Sequence, residues 1–288
     1  MAETAIMFGL GAAKAGTTWL YRYLAQHPDV AMPAVKELHW FDTCETGKWA
    51  RQVTRMDRER ARRADRLPTG DAGQDRRLKR EIRAYDAWID VLKTRGRDTA
   101  YVDFLRGTGA VKLTGDITPA YGTLGEDSLR RMERLGPVAR FVFLMRDPLD
   151  RLWSNVRMVA ARDAGDFAAN AGARLDQVLD GRDEAAALRS DYATTLQRTA
   201  RALNPANLFL GFYETLFDRE TIAALCGFLG IAPRPAQTGV RVLPGTDLKM
   251  TEGQRRRALA WLAPQYAAVA ARCGPLPRRW TEHMEALA

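Results

Sequence analysis

Lys14 sits within a run of small residues, Gly9-Leu10-Gly11-Ala12-Ala13-Lys14-Ala15-Gly16-Thr17-Thr18-Trp19, that directly follows the apolar stretch Ala5-Ile6-Met7-Phe8. An apolar strand, a Gly/Ala-rich turn holding one lysine, and two hydroxyl residues opening a helix have the chemistry of a phosphate cradle. Small side chains let backbone amides approach an anion, and a helix N-terminus adds unpaired N–H groups and about half a positive charge. A turn built for packing alone would require neither the lysine nor the paired threonines. A second candidate anion grip is Phe141-Val142-Phe143-Leu144-Met145-Arg146-Asp147-Pro148. Here an apolar strand runs into an arginine, and a proline turn starts a helix that carries Ser154 on its early turns. A guanidinium offers phosphate a planar fork of donors; the competing explanation is an arginine paired with a carboxylate at a strand end. The third stretch is Lys36-Glu37-Leu38-His39-Trp40-Phe41-Asp42. Its alternation after Pro33 predicts an extended segment with Glu37 and His39 on one side. A carboxylate there can take the proton of a hydroxyl nucleophile. The alternatives are surface charge for Lys36 and Glu37 and a structural hydrogen bond for His39.

These residues need a scaffold, and the apolar runs supply one. Ala5–Gly9, Ala110–Leu113, Phe141–Met145 and Leu208–Phe212 predict buried parallel strands alternating with helices. The first leads into a helix over about 17–26, with Trp19, Leu20, Tyr23 and Leu24 on its apolar face and Pro28 marking its end. The expected fold is α/β: a P-loop-like, doubly wound parallel sheet flanked by helices, binding ligands at the carboxyl ends of its strands. One domain is expected over 1–288, with a basic helical insertion over 48–106, where seventeen Lys/Arg stand against ten Asp/Glu. The insertion reads as helices around a loop at Leu67–Gly73, one of them marked by Ile82, Tyr85, Trp88, Ile89 and Leu92. It is either a wall of the acceptor site that attracts an acidic substrate or a solvated charged face. Further helical patterns lie at Ile222–Leu229 and Gln254–Cys273.

The order Lys14-Ala15-Gly16-Thr17-Thr18-Trp19 departs from a Walker loop, in which lysine follows the second glycine at once. It resembles the 5′-phosphosulfate loop of sulfotransferases that use 3′-phosphoadenosine 5′-phosphosulfate (PAPS). Arg146 and Ser154 match the 3′-phosphate site of that family. The Lys36–Asp42 stretch resembles the Glu-x-His-Phe-Phe-Asp element of heparan sulfate 3-O-sulfotransferases, where the glutamate is the base. The resemblance implies PAPS as cofactor, with Lys14, Ala15, Gly16, Thr17 and Thr18 around its 5′-phosphosulfate. It also implies Glu37 as the catalytic base supported by His39 and Asp42, and Lys14 at the leaving group. Trp19 is placed like the adenine-stacking tryptophan of cytosolic sulfotransferases. Tyr213, in Phe212-Tyr213-Glu214-Thr215-Leu216, resembles a Tyr-Glu element near adenine; core packing explains both aromatic residues as well. Gly115-Asp116-Ile117-Thr118-Pro119-Ala120-Tyr121 resembles the cleft-lining Gly-Glu-x-[Ser/Thr]-Pro-x-Tyr segment. Asp116 stands there in place of the common glutamate, and Ile117 in place of a lysine of the heparan enzymes, which departs from a heparan-like acceptor. Arg241 and Lys249 are the candidates for the basic loop that closes over PAPS.

Composition narrows the classes. The chain has 288 residues, 46% hydrophobic and 27% charged, an ordinary globular balance, with a net charge of +9 that suits an anionic ligand. Three well-separated cysteines, Cys44, Cys226 and Cys273, argue against a disulfide framework or zinc site, and three histidines against a histidine-based metal centre. No stretch reaches the roughly 20 apolar residues of a membrane span, and no signal peptide is recognisable, so a cytoplasmic protein is expected. No basic–aromatic motif accompanies the charge, so nucleic acid is not an expected partner. The expected acceptor is a hydroxyl-bearing carbohydrate or small molecule, with an acidic one in view. Two rivals are an atypical P-loop kinase using ATP and magnesium, and a non-catalytic module that binds anions or a protein partner.

Overall fold

A computed structural model describes residues 4–107, 111–235 and 248–286. The strands are β1 (Ala5–Gly11), β2 (Val30–Ala31), β3 (Leu113–Ile117), β4 (Ala139–Met145) and β5 (Leu208–Phe212). The helices are α1 (Thr17–Ala25), α2 (Trp40–Thr46), α3 (Trp49–Ala64), α4 (Ala72–Lys93), α5 (Asp98–Arg106), α6 (Glu126–Glu133), α7 (Pro148–Ala160), α8 (Phe167–Leu179), α9 (Glu184–Ser190), α10 (Tyr192–Ala202), α11 (Arg219–Leu229), α12 (Glu252–Cys273) and α13 (Arg278–Glu285). All strands are parallel, in the order β2-β3-β1-β4-β5. From β1 the chain runs to the edge strand β2, returns to β3 beside β1, and then crosses to β4 on the other side. The crevice beyond the carboxyl ends of β1 and β4 is therefore the topological switch point, where α/β sheets bind ligands.

The sequence of β1 explains its central place. Ile6, Met7, Phe8 and Leu10 are all fully buried, as expected for a strand covered on both faces. Its glycines serve close approach: a Cβ on Gly9 would lie 2.8 Å from Ile117 of β3. The β3 strand corrects the expected span, because pairing begins at Leu113 and runs on to Ile117, while 108–110 lie outside the described residues. The polar run Thr114-Gly115-Asp116 lies beyond the expected apolar strand, yet tertiary partners satisfy it within the sheet. Thr114 donates to Ala31 O at 2.9 Å, and the missing Gly115 side chain leaves room for Met7 O, which a Cβ would meet at 2.3 Å.

The 48–106 region forms α3, α4 and α5, and the predicted loop separates α3 from α4. Its apolar stripe (Met56, Tyr85, Trp88, Ile89 and Leu92) is buried in the same core cluster as the sheet. Trp40, just after the Glu37–His39 stretch, stacks on Tyr101 at 5.3 Å and contacts Trp49 and Trp88, which clamps the helices to the site segment. Part of the basic charge is matched internally. Arg60 pairs with Asp86, Arg63 pairs with Glu59 and Glu81, and the Arg63 guanidinium lies 4.4 Å from the Tyr85 ring.

Candidate active site

The turn after β1 ends with Gly16 at φ 88°, a left-handed conformation that glycine adopts without strain. A Cβ there would meet Leu216 at 2.9 Å and Tyr213 at 3.0 Å, so the loop packs directly against the segment after β5. No side chain caps α1, so its first-turn amides have no side-chain acceptor at the helix N-terminus. Thr17 is buried and Thr18 half-buried at the start of this helix. Lys14, itself left-handed at φ 72°, lies 3.6 Å from Met158 Sδ on α7. Burial first, and then repulsion from Arg146, Arg157 and Arg162, holds its ammonium pKa below the ordinary value. Arg146 follows β4, reaches Lys14 O at 3.5 Å and lies 5.0 Å from the centre of the Tyr213 ring. The structure thus brings Lys14, Arg146 and Tyr213 together over the switch point. Ser154 is half-buried on α7, one residue after Trp153, which donates to Leu248 O at 2.6 Å.

Trp19 lies on α1, one residue after Thr18. It is 7% exposed, stacked on Tyr23 at 5.2 Å and edge-on to Phe217 at 5.1 Å. Of the two basic-loop candidates, Arg241 lies outside the described residues, and Lys249 makes no ion pair among them.

The Glu37–His39 stretch is not an extended segment. Glu37 (φ 58°) and His39 (φ 55°) are both left-handed, and three successive amides are held from β3 and the turn after it. Leu38 N donates to Asp116 Oδ1 at 3.4 Å, His39 N to Thr118 Oγ1 at 3.4 Å, and Trp40 N to Tyr121 Oη at 2.9 Å. These bonds outweigh the local extended preference, and the two side chains meet all the same. His39 Nε2 lies 3.8 Å from Glu37 Oε2, while Nδ1 lies 2.7 Å from Asp42 Oδ2. Asp116 is the anchor, fully buried and accepting from Tyr121 at 2.6 Å, Thr118 at 2.7 Å and Tyr101 at 3.2 Å. Burial pushes its carboxyl pKa up against these bonds.

Charge interlocks around Glu37. Burial opposes ionisation of its carboxylate, but the neighbouring His39 imidazolium and the hydrogen-bonded Lys36 ammonium overcome that and hold its pKa at about 2. Burial likewise opposes a charged imidazole, yet Asp42 and Glu37 carry His39 up to about 9. Lys36 is the residue that sequence reasoning left on the surface: its Nζ donates to Thr18 Oγ1 at 2.7 Å and to Glu37 Oε1 at 3.1 Å. Its position next to Glu37 was the only available signal.

Asp147, the carboxylate beside Arg146, is fully buried and engaged. It caps α7 by accepting from Asp150 N at 2.9 Å, and it accepts from Tyr266 at 2.8 Å and faces His283 Nδ1 at 3.0 Å. Asp147, Asp150 and His283 bring potential ligand atoms within 4.8 Å of one another. Asp150, however, is paired with Arg279 at 3.0 Å, so the trio is a hydrogen-bonded latch joining the Arg146 turn to α12 and α13.

A parallel α/β sheet with a cationic crevice at its switch point defines a nucleotide- or phosphate-handling class of fold. The profile described as Sulfotransferase family matches residues 7–235, and the chain belongs to that family. Among solved structures, a sulfotransferase from Alicyclobacillus acidocaldarius is similar at 21% identity and TM-score 0.62, covering 96% of this chain and 98% of that one. The sulfotransferase domain of the Synechococcus PCC 7002 olefin synthase matches at 17% identity and TM-score 0.48, covering 99% of this chain and 92% of that one. At 21% identity the likeness to the Alicyclobacillus structure establishes the shared fold. No curated protein sequence matches the chain. No helix among the described residues is long and apolar enough to cross a membrane.

Proposed function

We propose that this chain moves a sulfuryl group from PAPS to an acceptor hydroxyl by in-line displacement, with Glu37 as the base. The observation that carries the reading is the chain of contacts Thr18–Lys36–Glu37, at 2.7 and 3.1 Å, which sets a carboxylate beside the anion-binding turn. The donor set suits the cofactor: the uncapped first turn of α1, Lys14 and Arg146 are all donors or cations, and Gly16 lets the loop pack against Leu216 and Tyr213. Bound PAPS would supply an activated sulfuryl group with a phosphate leaving group. Lys14 and the amides around Gly16–Thr18 would stabilise negative charge at the 5′ position. Arg146 and Ser154 would grip the 3′-phosphate and so select against ATP, while Trp19 and Tyr213 would border the adenine. Glu37 would accept the acceptor's proton, with His39 and Asp42 fixing its orientation.

The acceptor in this reading is a hydroxyl-bearing carbohydrate or small molecule. Arg55 of α3, an exposed cation near enough to act on the charge of His39, favours an acidic one. The three free cysteines fit a reducing cytoplasmic setting. The kinase alternative is disfavoured because Asp147, the carboxylate nearest the end of β4, is buried and committed to the α7 cap, Tyr266 and His283.

Thermal unfolding with adenosine 3′,5′-bisphosphate, compared with ADP plus magnesium, tests the reading. A ligand at about a hundred times its Kd adds ~2.7 kcal/mol, a shift of several degrees for a chain of this size. Stabilisation by the 3′-phosphorylated nucleotide alone is expected, and stabilisation by ADP–magnesium alone overturns the proposal.

A further inference from the structure

Lys36 joins two parts of the site that have opposite needs. Its half-buried ammonium group bonds Thr18 Oγ1, on the first turn of α1, and Glu37 Oε1 at the same time. An ammonium ion has three donors on a flexible stem, so it can favour one partner over the other without any backbone movement. The remaining groups around Glu37 are fixed. His39 is held by Asp42 of α2, the Leu38 amide by Asp116 of β3, and the Leu38 carbonyl by Gln52 of α3 at 3.3 Å. Arg55 of α3 acts on His39 from the exposed side. Lys36 is thus the mobile charge in an otherwise tethered cluster.

In this arrangement Glu37 is a poor base, because its carboxylate is already stabilised as an anion by Lys36 and His39. A general base works best when its proton affinity is matched to the working pH. An anion at the α1 N-terminus would compete for the same ammonium. We propose that Lys36 is a positioning residue shared between Glu37 and an anion at Thr18, so that filling the anion site draws Lys36 away and frees Glu37 to accept a proton. The assignment of Glu37 as base rests on the sulfotransferase reading given above; the exchange of partners by Lys36 does not. The consequence is coupling: the carboxylate becomes competent when the anion site is full, and an empty site keeps it silent.

The coupling has a signature that needs no turnover. Glu37 and the anion compete for one cation, so Glu37→Gln should tighten anion binding, on the order of tenfold for a charge-assisted bond. Simple repulsion between Glu37 and the anion would also tighten it, and a double-mutant cycle separates the two causes. Calorimetric titration with adenosine 3′,5′-bisphosphate, and in parallel with inorganic sulfate, would be run on wild type, Glu37→Gln, Lys36→Met and the double variant. Thermal unfolding of each variant verifies the fold. The expected result is that the gain from Glu37→Gln falls below about twofold in the Lys36→Met background and returns with Lys36→Arg. An equal gain with and without Lys36 overturns the proposal, since repulsion alone then accounts for it. Sulfate binding without nucleotide binding would refute the cofactor reading while the sulfate cycle still decides the role of Lys36. Binding of neither refutes both.

Discussion

Around Lys14 and Arg146, cations converge with no ion pair to either residue among the described residues, and the pKa of Lys14 is depressed by burial and by neighbouring arginines. Twenty-odd residues away in sequence, around Glu37, two cations and two carboxylates alternate: Lys36, Glu37, His39 and Asp42 hold one another within 2.7–3.8 Å. Among the described residues the first region is dominated by like charge, Lys14 beside Arg146, Arg157 and Arg162, with Asp150 acting on Arg146 as a partial counterweight. The second is neutral as a set, so its charges fix geometry instead of demanding a ligand. The two regions thus have separate electrostatic designs, matching the binding and proton-transfer roles proposed for them, and Lys36, bonded to Thr18 as well as Glu37, connects them.

The sharpest way to break this division is to remove the carboxylate. Glu37→Gln should lower kcat by about 10²–10⁴-fold, the range for loss of a general base, with adenosine 3′,5′-bisphosphate affinity undiminished. Equal loss of both would merge the two regions into one binding site. On the other side, Arg146→Ala should weaken the bisphosphate by about 2 kcal/mol, on the order of thirtyfold, in equilibrium titration. Arg146→Lys should recover only part of that, because an ammonium lacks the planar fork.

Gly16→Ala tests whether the loop geometry underlies the first region. The left-handed φ of 88° and the contacts to Leu216 and Tyr213 should cost about 1–2 kcal/mol, read as a Tm lower by roughly 4 °C. The smallest effect is the pH dependence of the second region. His39 rises from an ordinary 6.5 to about 9 in the folded chain. Its contribution to stability is therefore complete below the ordinary value and fades as pH climbs through about 9. Glu37 falls from 4.5 to about 2, so its contribution holds above the ordinary value and fades as pH drops toward 2. Denaturant titrations between pH 6 and 10 should show His39→Gln flattening the alkaline loss seen in wild type; an unchanged slope would remove the charged imidazole from this account.

Much of this was legible in the chain alone, because the signals are local. An apolar run before small residues and threonines specifies strand, turn and helix by sterics and periodicity, and β1, α1, β4 and β5 appear where those patterns lie. Arg146 falls at the carboxyl end of β4 for the same reason. The helices of the basic 48–106 region, with the loop between α3 and α4, were legible from their apolar stripe and the Pro-Thr-Gly turn. What sequence could not supply depended on partners distant in the chain. The polar Thr114-Gly115-Asp116 run is a strand only because Ala31, Met7, Tyr101 and Tyr121 meet its polar groups and its missing side chain. Glu37 and His39 take left-handed backbone, against local preference, because Asp116, Thr118 and Tyr121 hold the amides between and beyond them. Lys36 becomes part of the site because a flexible ammonium stem finds Thr18, eighteen residues earlier, only once α1 is packed beside it. Sequence alone thus determined the strand–turn–helix elements and the residue types they present. Tertiary structure decided which charges meet, because hydrogen bonds and ion pairs act over a few ångströms in space, whatever the separation along the chain.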